Sequence, residues 1–201
     1  NLNTINNTYQ DIASKVNTKD NWNVLSYISS HDEGLTRANM TNLGTALLLS
    51  PGGVQIFYGD ETNRPGSETC SDKDQPSRSD MNWSSVNQST LNHWQIIGTF
   101  RKNHPSIGAG THTVISSSPY VFSRTYNKEG ISDKVVVALN ATGSTTINVS
   151  SIFKDGTPVR DAYTGAKATV ANGSVSFTAG SAGVILIEQN GEEPLTPVVT
   201  L

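Results

Sequence analysis

Two short apolar runs, each closed by acidic and imidazole side chains, constrain this chain more than anything else in it. The first is Ser26-Tyr27-Ile28-Ser29-Ser30-His31-Asp32 and the second is Val54-Gln55-Ile56-Phe57-Tyr58-Gly59-Asp60-Glu61. Strands that are apolar almost throughout are buried on both faces, as in parallel sheets covered by helices. In a parallel barrel the carboxyl ends of the strands face the active site, so chemistry is expected at residues 31–32 and 60–61. Between the runs, Met40, Leu43 and Leu47 recur at helical spacing until Pro51-Gly52-Gly53 stops the element. Strand, helix and strand make one crossover.

Ahead of it, Leu2, Ile5, Tyr9, Ile12 and Val16 mark one face of an amphipathic helix, with Asp20 and Asn21 at the turn into the first strand. Behind it, Leu91, Trp94, Ile97 and Phe100 mark another helix, which His104-Pro105 ends. This order amounts to the last two βα units of an eight-stranded barrel plus a flanking helix. From about Gly110 the period turns from helical to alternating. Segments 111–117, 120–126, 134–140, 145–150, 168–170, 174–178 and 184–188 are rich in Val, Ile, Thr and Tyr and are separated by Gly, Asn, Asp and Ser. They read as an antiparallel β-sandwich with Greek-key connections. The fold class is thus α/β plus all-β, with a partial barrel over 1–105, a sandwich over 106–190 and a linker or tail over 191–201. The chain opens inside a helix and closes on a linker-like tail, so the natural protein is expected to extend further.

With 35% apolar and 15% charged residues the 201-residue chain is globular, and it holds no membrane-length apolar run. A net charge of −3 without any Lys/Arg cluster argues against nucleic acid as a partner. Cys70 is the single cysteine, so no disulfide closes within the chain. Richness in Asn, Ser, Thr and Gly suits an exported bacterial protein. Triplets such as Asn82-Trp83-Ser84 and Asn148-Val149-Ser150 arise by chance in so Asn-rich a sequence and carry no weight.

The ordered set of three motifs resembles the end of the catalytic barrel of α-amylases, glycoside hydrolase family 13. The motifs are His31-Asp32 closing the seventh strand, Pro51 to Glu61 for the eighth strand and its lead-in, and Arg78-Ser79-Asp80-Met81-Asn82-Trp83 before the helix through Phe100-Arg101. The periplasmic bacterial type is the most similar. The resemblance is strongest from Trp22 to Pro105, and the sandwich resembles the family's carboxy-terminal domain less specifically. Ser30 departs from the Asn that many members carry before the His-Asp pair.

Retaining glycosidases need a carboxylate nucleophile and a carboxylic acid roughly 5–5.5 Å apart. Residue chemistry alone nominates Asp32 and Glu61 for these roles. The resemblance corrects this, because in the family those groups come from the fourth and fifth strands, which this chain lacks. It implies instead that Asp32 is a transition-state stabiliser gripping sugar hydroxyls as the ring flattens, and that His31 hydrogen-bonds the same sugar. It implies that Asp60 and Glu61 support the site from behind. In the loop over 62–80, Arg64, Asp72, Asp74, Arg78 and Asp80 either line outer subsites or form local ion pairs on a solvated surface.

The alternative for Asp32 is a helix cap, and for His31 a satisfied strand-end histidine. Trp83 is expected in the core more than on a sugar face. Trp94, Tyr120, Tyr126 and Tyr163 are expected to pack. Calcium is common in the family, but no metal constellation stands out here. The implied partners are an α-glucan and the amino-terminal remainder of the enzyme or a second copy of the chain, in a secreted or periplasmic setting. A transglycosidase or maltogenic relative and a non-catalytic carbohydrate-binding module are the competing functions, the sandwich serving as buttress or as glucan binder.

Overall fold

The structure, a computed structural model, describes residues 2–18, 23–32, 34–66, 76–128 and 130–191. The expectations for Asp20, Asn21, Trp22, Cys70, Asp72, Asp74 and the tail beyond Gly191 lie outside the described residues.

Helix α1 (Leu2–Thr18) buries Tyr9 and Ile12, two members of the stripe that the sequence marks out. Strand β1 (Leu25–Ser26), helix α2 (Met40–Leu48) and strand β2 (Gly53–Val54) form the expected crossover, and the two strands pair in parallel with Leu25 opposite Gly53. Both strands are shorter than their apolar runs. Beyond Ser26 and Val54 the chain leaves the ladder, and Leu25, Tyr27 and Ile56 are 59%, 45% and 46% exposed, not buried on both faces as the runs imply. The reason is a missing neighbour: neither strand has a second partner among the described residues, so nothing extends the pairing, while Ile28 and Val54 pack against the helical core.

Helix α3 (Gln88–Asn103) is capped by the Asn87 side chain, which accepts from the Thr90 amide at 3.1 Å. At its far end Pro105 opens the short helix α4 (Pro105–Ala109). Gly44 of α2 lies so close to Trp94 of α3 that a Cβ would stand 2.4 Å from the indole nitrogen. The close approach lets Trp94 donate to the Met40 carbonyl at 2.9 Å.

The remaining strands are β3 (Thr111–Ser117), β4 (Tyr120–Lys128), β5 (Ile131–Leu139), β6 (Gly143–Asn148), β7 (Pro158–Asp161), β8 (Lys167–Thr169), β9 (Ser174–Ala179) and β10 (Val184–Gln189). Six of them form an antiparallel sheet in the order β3-β4-β5-β10-β7-β8, and β6 pairs with β9 in a second sheet. The expected sandwich is present with one strand more than the sequence suggests. β7 reads Pro-Val-Arg-Asp and lacks the β-branched signal of a strand.

The centre of the large sheet, β4, β5 and β10, is buried on both faces. Tyr120, Phe122, Val135, Val137, Leu139, Val184 and Leu186 join Tyr9, Leu47, Leu48, Trp94, Ile97 and Phe100 in one core. The alternating residues Val121, Val136, Ala138, Ile185 and Ile187 join Ile147, Val149, Phe153, Val175 and Phe177 in the other. The boundary drawn at 105–106 therefore crosses a continuous core. Each large side chain buried there contributes about 1.5–3 kcal/mol, so the helices and the sheet stabilise each other.

Polar clasps cross the same junction. Arg101 donates to the carbonyls of Leu48, Ser50 and Gly52, tying α3 to the lead-in of β2. Arg124 of β4 donates to Ile107 and Leu49 carbonyls and to His112 Nδ1 at 2.8 Å. Burial, reinforced by the Arg124 charge, pushes His112 down to about 3, so it is neutral at ordinary pH.

His104 sits between Asp133 of β5 at 2.8 Å and Glu188 of β10 at 2.5 Å, and Glu188 also pairs with Arg160 of β7. Burial by itself would lower the imidazole pKa, but the hydrogen bonds and charges of Asp133 and Glu188 outweigh it and raise it to about 9. Burial pushes both acids up, yet their hydrogen bonds, chiefly to His104, leave them below the usual carboxylate values.

The raised imidazole contributes stability that is complete below its unfolded value of about 6.5 and fades as pH rises through about 9. The lowered acids contribute stability present above their ordinary values and lost as pH falls through their native ones. Thermal midpoints should therefore fall between about pH 6.5 and pH 9, and His104→Gln should remove that fall. At neutral pH the same variant should cost about 3 kcal/mol or more, because it strands two buried acids. An unchanged alkaline slope in the variant would contradict this assignment.

Candidate active site

The carboxyl ends of β1 and β2 carry the two loops that hold most of the nominated residues. The β1 loop is closed by a bridge between Ser30 and Gly34 and turns at His31-Asp32. Both tip side chains are exposed, at 58% and 74%, and the imidazole Nε2 stands 3.3 Å from an Asp32 oxygen. The Asp32 amide donates to Ser30 Oγ at 3.2 Å, and Ser77 Oγ donates to the His31 carbonyl at 3.0 Å. Asp32 does not cap a helix: α2 starts eight residues on, after Asn39 in a left-handed conformation.

The β2 loop is a tight turn around Arg64. Gly59 adopts a positive φ of 88° directly over this side chain, where a Cβ would lie 2.5 Å from Arg64 Cβ. The fully buried guanidinium donates to the carbonyls of Tyr58 at 3.2 Å, Ser77 at 2.9 Å and Ser79 at 2.9 Å, and stacks 4.0 Å from the Tyr58 ring. Burial lowers its pKa from the usual guanidinium value, while Tyr58, and more weakly Asp60 and Glu61, act the other way. Arg64 thus lies beneath the surface. It joins the β2 loop to the segment 77–79.

Asp60 is completely buried and pairs with Arg37 at 2.8 Å. Glu61 turns back on its own loop, accepting from the Gly59 amide at 3.1 Å. Arg78 is exposed at the end of a 3-10 turn over Pro76–Arg78. Trp83 opens a second such turn and is 76% exposed, contrary to the core position expected of it. Asn82 beside it accepts from the Thr62 hydroxyl at 2.8 Å. Trp94 and Tyr120 are buried as expected, Tyr126 is half-buried, and the half-buried Tyr163 hydroxyl meets His93 Nδ1 at 2.7 Å.

The loops therefore bring His31, Asp32, Asp60, Glu61 and Arg64 to one end of the strand pair. Sequence reasoning missed Arg37. The available signal was a buried acid at a strand end, which requires a counter-charge, and a lone cation shortly after the other strand's loop. Among the described residues no group of three His, Cys, Asp or Glu side chains stands close enough to hold a metal ion.

No protein-family model matches the chain. Over 134 residues, 65% of the chain, it is 46% identical to the periplasmic alpha-amylase of Escherichia coli (strain K12). The chain is similar in sequence to a periplasmic α-amylase. It spans about a fifth of that relative, 19% of its length. Among solved structures, an Anoxybacillus α-amylase superposes with a TM-score of 0.61 at 19% identity, covering 83% of this chain and 38% of that one. The α-amylase of Geobacillus thermoleovorans, solved in complex with acarbose, gives a TM-score of 0.59 at 16% identity, over 84% of this chain and 39% of its own. Matches of that extent run through the helical half and the sandwich alike, so the fold is shared across the junction. Among the described residues no helix is long and apolar enough to cross a membrane.

If Arg64 holds this end of the chain together, Arg64→Met should leave three carbonyls short of a donor and cost about 3 kcal/mol, or about 6–12 °C in thermal midpoint. A melt displaced by less than about 2 °C would show that the 77–79 segment is held by other contacts.

Proposed function

We propose that this chain forms the last two strand–helix units of the catalytic barrel, and the following sandwich, of an exported α-amylase. In this reading the whole enzyme hydrolyses internal α-1,4-glucosidic bonds of starch or maltodextrin with retention of configuration. The 46% identity to periplasmic alpha-amylase over a run of 134 residues is the observation that carries it. The nucleophile and general acid belong to barrel strands outside this chain, so the segment alone does not catalyse. The rest of the barrel covers Leu25, Tyr27 and Ile56 and extends the two-residue strands, and the enzyme works in the periplasm.

Within that enzyme Asp32 binds hydroxyls of the sugar being cleaved. Its exposure at a loop tip leaves it free to do so, and it grips better as the ring flattens toward the oxocarbenium-like transition state. His31 binds the same sugar, and Asp60 and Glu61 shape the loops from behind. The sandwich acts as a buttress. Among the described residues the exposed aromatics are Tyr27, Tyr58 and Trp83, all outside the sandwich, which disfavours a glucan-binding platform on it. The transglycosidase and maltogenic alternatives differ from hydrolysis in loops carried by the rest of the barrel.

The test uses the full-length enzyme that carries this segment, with soluble starch as substrate. Asp32→Asn should lower kcat and kcat/KM together by about two orders of magnitude or more while the thermal midpoint stays put, since an interaction made in the transition state is lost. His31→Ala should raise KM more visibly and cost less turnover. The segment by itself, run alongside, should release no reducing sugar. Wild-type turnover in Asp32→Asn, or hydrolysis by the segment at the level of the full enzyme, would overturn the proposal.

A further inference from the structure

Arg37 makes more of the site's geometry than any residue at the loop tip. Its Nε donates to the Arg64 carbonyl, and one terminal nitrogen reaches Ser29 Oγ at 3.1 Å, the Thr36 carbonyl at 2.6 Å and Asp60 Oδ1 at 2.8 Å. Ser29 Oγ also accepts from the Thr36 amide at 3.3 Å. Residues 29 and 36 are therefore held together at the base of the β1 loop, with the Ser30–Gly34 bridge above them and His31-Asp32 at the tip. Through Asp60 and the Arg64 carbonyl, the same guanidinium fixes that base to the β2 loop.

As a stabilising element the pair is a poor one. The other terminal nitrogen of Arg37 and Oδ2 of Asp60 are buried without a hydrogen-bond partner among the described residues. Removing two charges from water is expensive, and it is repaid only when the remaining donors and lone pairs are satisfied. Apolar replacements of such pairs are often neutral or stabilising. What an apolar pair cannot reproduce is a planar fork that addresses two loops at fixed angles.

We infer that the Arg37–Asp60 pair is a positioning clamp for the His31-Asp32 loop, setting where the Asp32 carboxylate meets the sugar, and is not an element of fold stability. The inference rests on the reading of Asp32 as a sugar-binding group. Neither Arg37 nor Asp60 touches substrate in it. Both act through the loop, so their loss falls on the transition-state interaction of Asp32 and lowers kcat with little change in KM.

The experiment compares three variants of the full-length enzyme on soluble starch: Arg37→Met with Asp60→Leu, Arg37→Lys, and Asp32→Asn as reference. The double variant should melt within a few degrees of wild type and lose about tenfold or more in kcat at nearly constant KM. Arg37→Lys keeps the charge without the fork and should also fold and fail to restore full turnover. Wild-type kcat in the double variant would overturn the clamp, and so would a double variant that does not fold, since the pair would then be structural. If Asp32→Asn is inactive while the double variant is fully active, the clamp alone fails. If Asp32→Asn retains wild-type turnover, the underlying reading of the site fails instead.

Discussion

The burial of β4, β5 and β10 on both faces is the constraint on which the rest of the structure depends. An antiparallel sheet ordinarily offers one face to water. Here Val135 to Leu139 and Val184 to Ile187 are apolar at every position because alternate side chains enter two different cores. One face takes the small β6-β9 sheet and completes a sandwich. The other takes α1, α2, α3 and α4. A two-stranded parallel sheet is marginal by itself, so the β1-β2 pair keeps its place because the helices that flank it are seated on a large sheet.

That seating carries through to the site. Arg101 fixes the lead-in of β2 from α3, and Arg124 reaches from β4 to the end of α2, so the strand pair inherits its position from the sandwich. At the opposite end of the same strands, Arg64 and Arg37 tie the emerging loops together through backbone carbonyls and Asp60. The charged tip of the β1 loop stays in solvent, while Ser29, Asp60 and Arg64 beneath it are buried. The Asp32 carboxylate thus stays exposed while the loop that carries it is held from beneath.

Periodicity made the helices, the crossover and most of the sandwich strands legible from the sequence. Leu2, Ile5, Tyr9 and Ile12 announce α1, and the alternation from Thr111 onward announces the sheet. β7 was not legible, because Pro158-Val159-Arg160-Asp161 is a strand held by neighbours on both sides and by Asp161 accepting from the Leu186 amide, not by propensity. The short extent of β1 and β2 was hidden for a related reason, since an apolar run encodes burial and the length of a strand depends on its partners. In the site, motif order marked His31, Asp32, Asp60 and Glu61. Arg37 and the His104 cluster stayed invisible, because partners 23, 29 and 84 residues away leave no local pattern. The exposure of Trp83 was equally unreadable from its aromatic character alone.

Native-state amide hydrogen exchange across the whole chain tests the shared core most directly. If the sheet face holds the two halves as one cooperative unit, the slowest amides of α2 and α3 and those of β5 and β10 should exchange with a common opening free energy and respond in parallel to low denaturant. Helical amides that exchange about a hundredfold faster than the sheet, with their own denaturant dependence, would show two independent units and would contradict the account.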